Sequence, residues 1–384
     1  MTSQALYGWG FSVASGHDYT GPFIRVPLPD ANSGPVAIAL EKRFEVFFSE
    51  RAPATCQYDY SNGLIYTQTF FNDEERGPEA QIFEICVDAP ENPRTARALE
   101  HHGTKFTAVS FGTDLSDNPV LYAADPSGSR LYQFGPPSGS GANKTRSNCS
   151  KSHYALSDPQ CWAKCSIRDF TTRRIPAPGG GDVNMAYVLS GPDENNTYLL
   201  VTPLKQGENT PDPDYFDDYK TIHCDKSARQ VTVDSQHKWA WVVGQDMMHR
   251  IDLQNPDQVN NYPGPWDSKV TFVQARGKEW GAIASGGGVK FFSVNSDESF
   301  WMTSPSDSLH LSRNPQKFLN NLDYMQWVGI VTSSDSRVWT HGLSPDMEKL
   351  FEWDTSCKDG TSHELKIQGC FPVLNDLTFA RDGS

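Results

Sequence analysis

His101 and His102, with Lys105 three positions on, place two imidazoles and an ammonium in one short polar segment. An imidazole titrates near neutral pH, so a pair of them can take a proton from one group and give one to another. Comparable polar segments recur: Asp182 and Asn184 before Met185, Arg276 and Lys278 before Trp280, Asn320, Asn321, Asp323 and Tyr324 before Trp327, and Asn375 and Asp376 before Leu377. Taken together they suggest general acid/base work by His101, His102, Lys105, Asp323 or Tyr324. Met185, Arg276, Trp280, Trp327, Asn321 and Asn375 would then touch the substrate. The oxygens of Asn321, Asp323, Asn375 and Asp376 are also the hard donors that calcium takes, so a calcium-assisted hydrolysis is the alternative chemistry. A plainer reading stands beside both: Asn and Asp start turns, and large aromatics fill cores. No Gly-x-Ser-x-Gly elbow, phosphate loop, dinucleotide fingerprint or His-Glu-x-x-His occurs. The glycines at 286–288 lie between two strand-like runs and read as a hairpin turn.

These groups need a scaffold, and the chain repeats one. An apolar or aromatic run, a polar turn and a second aromatic run recur at 64–85, 120–134, 185–201, 238–252, 279–292 and 337–353. Alternation of β-branched and aromatic residues with polar ones, joined by Gly, Pro, Asp or Ser, predicts a β-hairpin in each copy. The markers Tyr66, Tyr122, Tyr187, Trp241, Trp280 and Trp339 stand roughly 40 to 65 residues apart. That spacing is long enough for a four-stranded sheet with loops, and strand-rich repeats of roughly 40–50 residues read as propeller blades. The reading is an all-β chain, a single β-propeller domain over 1–384, with six blades favoured and seven as the alternative. A β-sandwich array is the competing architecture. Strand-like runs at 36–40 and 43–48 and at 373–379 lack a full hairpin copy. Pairing the N- and C-terminal strands would close the ring and remove two exposed sheet edges. Within a propeller the polar segments ahead of each copy would gather at the mouth of the central channel.

The net charge of −14 and pI near 5.1 argue against nucleic acid or an anionic membrane as the main partner, since both repel an acidic surface. No apolar run of the ~20 residues needed for a membrane span occurs. Residues 1–10 carry neither a basic start nor an apolar signal segment, which leaves a cytosolic protein or one whose signal has been removed. The 8 cysteines, at positions 56, 86, 149, 161, 165, 224, 357 and 370, favour the secretory pathway. Cys56 with Cys86, and Cys357 with Cys370, suggest local staples. Cys149, Cys161, Cys165 and Cys224 could pin the span 135–181, the longest without a hairpin, as a lid or interblade excursion; a zinc site is the alternative there. Sequons at Asn143, Asn148 and Asn195 fall in predicted loops and fit a secreted, glycosylated chain.

Two families come to bear on this pattern. Residues 52–66 and 374–384 resemble strand starts of the gluconolactonase and strictosidine-synthase-like six-bladed propellers. That resemblance implies a channel calcium held by Asn321, Asp323, Asn375 and Asp376, although the Glu those enzymes contribute from the first blade has no counterpart in 52–56. In overall character, acidic and cysteine-bearing with divergent blades, the chain resembles the fungal hetero-Diels–Alderases of tropolonic sesquiterpene biosynthesis. The second resemblance implies loss of water from a hydroxymethyl-type tropolone to give an o-quinone methide, then stereoselective [4+2] addition to a humulene-type alkene, with no metal or redox cofactor. Its substrates would be small hydrophobic natural products, held by an apolar wall so that confinement lowers the barrier. A carbohydrate-binding propeller lectin is the third reading. Lectin blades repeat the same polar contacts in each copy, and these copies do not.

Overall fold

A computed structural model describes residues 5–13, 19–20, 23–27, 36–38, 56–59, 62–73, 77–86, 96–114, 116, 118–125, 130–140, 143–147, 150–155, 166–176, 181–191, 196–204, 220–244, 246–264, 266, 270–275, 278–285, 288–294, 327–332, 338–343, 349–354, 362–366 and 373–380. Among the described residues the regular structure is β-strand, with no α-helix.

The chain opens with β1 (Ala5–Val13), β2 (Tyr19–Thr20), β3 (Phe23–Pro27), β4 (Val36–Ile38) and β5 (Cys56–Asp59). Next come β6 (Leu64–Asp73), β7 (Gly77–Cys86) and β8 (Ala96–Ala98), then a short ribbon of β9 (Glu100–His101) and β10 (Thr104–Lys105). Three groups of four follow. They are β11 (Ala108–Thr113), β12 (Pro119–Asp125), β13 (Arg130–Phe134) and β14 (Ser150–Ala155); β15 (Ser166–Pro176), β16 (Asp182–Gly191), β17 (Thr197–Leu204) and β18 (Lys220–Cys224); and β19 (Ala228–Val233), β20 (Trp239–Gly244), β21 (Met247–Asp252) and β22 (Val259–Pro263). The remainder is β23 (Thr271–Ala275), β24 (Lys278–Ser285), β25 (Gly288–Ser293), β26 (Trp327–Thr332), β27 (Val338–Leu343), β28 (Lys349–Asp354), β29 (Ser362–Lys366) and β30 (Val373–Ala380).

Contacts divide the chain into two compact units, residues 1–63, 92–95 and 265–384 in one and residues 64–91 and 96–264 in the other. In the first unit β1 pairs antiparallel with β3 on one side and with β30 on the other; the expected partner run at 36–40 supplies β4, which pairs with β3 in the same sheet, and 43–48 lies outside the described residues. The same unit holds the meanders β23-β24-β25 and β26-β27-β28-β29. The second unit holds β6-β7-β8 and the meanders β11-β12-β13-β14, β15-β16-β17-β18 and β19-β20-β21-β22. Each predicted hairpin is present: β6–β7, β12–β13, β16–β17, β20–β21, β24–β25 and β27–β28. Sheets of three or more strands number seven among the described residues, one more than the favoured count and equal to the alternative.

Packing in the second unit explains why the middle strands are apolar on both faces. Along β12, Val120, Tyr122 and Ala124 enter one core with Phe170, Ala186 and Val188, while Leu121 and Ala123 enter another with Leu64, Tyr66, Ile82 and Phe106. Successive side chains of a strand point to opposite faces, so each sheet is filled from both sides by its neighbours. β16 repeats the device, with Ala186 and Val188 in one core and Tyr187 and Leu189 in the next. First strands meet edge to edge: the Asp169 carboxylate of β15 accepts the Val231 N–H of β19 at 2.9 Å, and Arg173 Nη2 donates to the Val233 carbonyl at 3.3 Å.

The span 135–181, expected as an excursion, contains β14 and β15. The proposed Cys56–Cys86 staple is not formed: Cys86 is a buried thiol inside the core shared by β6, β7 and β11–β13. Cys224 is likewise a buried thiol; burial pushes it up to about 12. A small thiol in a dry core packs as a hydrophobe, which is how Cys86 and Cys224 are accommodated. Cys149, Cys161, Cys165, Cys357 and Cys370 lie outside the described residues, as do Asn148 and Asn195, whereas Asn143 is described and exposed.

Candidate functional site

The recurring hairpins are the second and third strands of their sheets; Arg276 and Lys278 flank the turn between β23 and β24, Asp182 and Asn184 open β16, and Asn375 and Asp376 lie inside β30. His101, His102 and Lys105 precede a first strand. They occupy the β9–β10 ribbon, which precedes the first strand β11. Thr104 stands opposite His101 and Lys105 opposite Glu100, leaving a two-residue turn of His102 at φ 50 and Gly103 at φ 79. Positive φ at both central residues is the geometry of the tight hairpin turn that matches strand twist, and glycine adopts it without cost.

Both ends of this ribbon are tied to one residue of β7. The Leu99 N–H donates to the Ile82 carbonyl at 2.9 Å, and the Ile82 N–H donates to the Phe106 carbonyl at 2.8 Å. The imidazoles thus sit on a short, pinned arm. Their ring centroids are 4.2 Å apart, edge to face, with His101 half-buried and His102 exposed. Behind them lies an aromatic wall: His101 is 5.8 Å from Tyr132 and 6.2 Å from Phe134, and Phe106 meets the same two rings at 5.3 and 5.4 Å. The wall is itself core, with Phe106 and Phe134 fully buried and Tyr132 nearly so, so it seats the His101 ring, and proton exchange with an outside molecule falls to the accessible faces of the imidazoles.

A second layer of residues frames the arm. Glu84 of β7 is 2 % exposed, and its carboxylate accepts the Tyr66 hydroxyl at 2.9 Å and the Arg146 N–H at 3.0 Å. Thr145 adds a side-chain hydrogen bond. Burial pushes the Glu84 carboxyl above the ordinary carboxylate range, against the opposite pull of the Thr145, Arg146 and Tyr66 hydrogen bonds and the Arg146 charge. The Arg146 guanidinium is itself 2 % exposed and donates to the carbonyls of Phe134 and Gly135. Further along, the Glu100 N–H donates to Ser147 Oγ at 3.3 Å, and Arg97 Nη2 donates to Asn143 Oδ1 at 2.7 Å.

Other predicted residues divide between placed and undescribed ones. Met185 of β16 is partly buried and packs against the core of Tyr187, Leu189 and Val231. Trp280 lies in β24 opposite Val273 and Ser293, and Trp327 opens β26 opposite Leu343. Asp376 of β30 stands opposite Trp9, with Asn375 at the adjoining register shift. Arg276, Asn321, Asp323 and Tyr324 lie outside the described residues. Among the residues searched, no group of three or more His, Cys, Asp or Glu converges as metal ligands. Sequence reasoning missed Glu84, Arg146, Tyr132 and Phe134. The signal available for them was weak: a carboxylate in the middle of an apolar strand run, and an arginine beside a sequon.

No family model matches the chain, and no curated protein matches it. Solved structures similar to it include a functionally unknown protein from Desulfotomaculum acetoxidans DSM 771, at 9% identity over 97% of this chain and 98% of that one, with a TM-score of 0.43. Another is puromycin hydrolase, at 13% identity over 97% of this chain and 55% of that one, TM-score 0.47. A third is the WD40 domain of SCAP from fission yeast, at 14% identity over 94% of this chain and 84% of that one, TM-score 0.36.

Proposed function

We propose that this chain is a β-propeller enzyme that converts a small hydrophobic natural product by acid/base-assisted pericyclic chemistry, with His101 and His102 as the proton-handling pair. The observation that carries the reading is the pair itself, two rings 4.2 Å apart, with His101 tilted against Tyr132 and edge-on to Phe134. In the reaction suggested by the hetero-Diels–Alderase resemblance, a neutral imidazole removes the ring-hydroxyl proton of a hydroxymethyl-type tropolone. The other imidazole, protonated, gives its proton to the leaving hydroxyl, the carbon–oxygen bond breaks, and water departs. Proton return between the adjacent rings resets the pair. The resulting o-quinone methide and a humulene-type alkene then form two bonds with no net proton change, so the protein has only to hold them in one orientation. The propeller part of the proposal draws on the meandering sheets, filled from both sides, and on the pairing of β1 with β30.

The test is product analysis by chiral chromatography after incubating purified protein with a hydroxymethyl tropolone and a humulene-type alkene. His101→Ala and His102→Ala are each expected to lower turnover on the order of a hundredfold or more, the usual contribution of a positioned acid or base. Full activity in both variants would remove the pair from the mechanism.

A further inference from the structure

We propose that Glu84 is the positioning residue of this site: its buried carboxyl clamps residues 135–140 and 143–147 as a strap that holds the β9–β10 arm and keeps the His101 ring against its aromatic wall. The inference rests on the reading of His101 and His102 as the working pair, but its geometry stands independently. The strap leaves β13 directly after Phe134, one of the two rings that His101 faces, and returns through Ser147, whose hydroxyl accepts the N–H of Glu100, the residue before His101. Between those ends it is cross-braced by a backbone pair, with Ser138 and Thr145 exchanging N–H and carbonyl bonds at 2.8 and 2.9 Å. Its one deeply buried side chain is Arg146.

Glu84 connects these parts. The carboxylate takes the Arg146 N–H and the Thr145 hydroxyl from the strap and the Tyr66 hydroxyl from β6, while the guanidinium of Arg146 turns back to the Phe134 and Gly135 carbonyls at the strap's origin. One residue therefore closes the loop of contacts from β7 through the strap to the start of the arm. The same strand holds the arm from below, through Ile82. A carboxylate so deeply buried, 62 positions away from its partner in sequence, costs desolvation that a surface loop with no positional task does not require. The other strap contact, Arg97 to Asn143, is exposed and so contributes little to the clamp.

Limited trypsin digestion with mass mapping, together with carbon-13-resolved NMR of the histidine Cε1 protons, tests this without any substrate. In the native chain cleavage after Arg146 is expected to be slow and the His101 signal to be displaced by the Tyr132 and Phe134 rings. Glu84→Ala is expected to raise cleavage after Arg146 on the order of tenfold or more, through local opening, and to move the His101 signal toward the value of a free histidine. Glu84→Gln keeps the volume and one acceptor, so it shifts both readings in the same direction by less, and it serves if the alanine variant does not fold. Arg97→Ala leaves both readings near native. Unchanged cleavage and an unmoved His101 signal in a folded Glu84→Gln variant would overturn the clamp. Failure of the catalytic reading is a separate outcome, because His101→Ala with full turnover would remove the pair from catalysis while leaving Arg146 protected.

Discussion

Two places in the second unit bury an arginine beside carboxylate charge, and they do so for different ends. At the junction of β7 and the strap, Glu84 reaches Arg146 across 62 positions and frames a pair of imidazoles that solvent can reach. In the β19–β22 sheet, Arg250 is 2 % exposed, stacked with its guanidinium carbon 3.6 Å from the Trp239 ring centroid and 5.5 Å from that of Trp241. A side-chain hydrogen bond to Tyr262 and the charges of Asp234 and Asp252 complete that site. Asp234 meanwhile caps its own turn, accepting the N–H groups of Lys238 at 2.8 Å and Trp239 at 3.1 Å. These partners of Arg250 all come from one sheet and its first hairpin turn. The contrast teaches that a buried charge satisfied locally serves the fold, whereas one satisfied across segments can set the position of groups outside itself.

The largest effect should come from breaking the local site. Arg250→Met is expected to cost about 3 kcal/mol in denaturant unfolding, from the lost stack and the uncompensated acid beside it, and to leave the His101 signal unmoved. A moved signal would show that the two regions are coupled and end the contrast. The next effect is a pH dependence peculiar to Glu84. Because its folded-state carboxyl lies above the ordinary range, its contribution is fully present below about 4.3, the usual glutamate value, and is lost as pH rises through the raised one. Stability measured across that window should therefore decline less steeply with rising pH in Glu84→Gln than in the native chain. No such difference is expected for Arg250→Met.

Smaller still is Gly103→Ala, which should cost about 1 kcal/mol. A Cβ at this position meets nothing within 4 Å, so the cost is the left-handed backbone at φ +79 alone. It sharpens the comparison by loosening the turn without touching the clamp: the His102 signal should broaden while cleavage after Arg146 stays slow. Arg97→Ala, at the exposed end of the strap, should change unfolding free energy by less than about 0.5 kcal/mol, and a larger change would mean that the strap is held from its tip.

The hairpins were legible in the sequence because strand pairing over short turns is written in nearest-neighbour alternation, and every one of the six copies forms its pair of strands. Their rank within each sheet was not legible. The first strands, such as β11 with its sequence AVSFGT and β19 with ARQVTV, are shorter on aromatics than the hairpins, so the periodicity passed over them. β1 escaped notice for a related reason: glycines at 8 and 10 break the alternation of ALYGWGFSV, and its pairing with β30 depends on a strand more than 350 residues away. At the candidate site, His101 and His102 were legible from residue type alone, whereas the partial burial of Met185 against the core around Tyr187 and Val231 was not.

What the sequence by itself determined is therefore local: which segments are strands, which pairs of them form hairpins, and that two imidazoles share one short polar turn. Tertiary structure decided what those imidazoles face and what holds them. Tyr132 and Phe134 become a wall for His101 only because β13 is stacked beside the β9–β10 arm, and Glu84 becomes a clamp only because the chain returns Arg146 to it after 62 residues. The physical reason is that alternation and turn chemistry act over a few bonds, whereas the burial of a charge is affordable only where distant segments supply its hydrogen bonds at once.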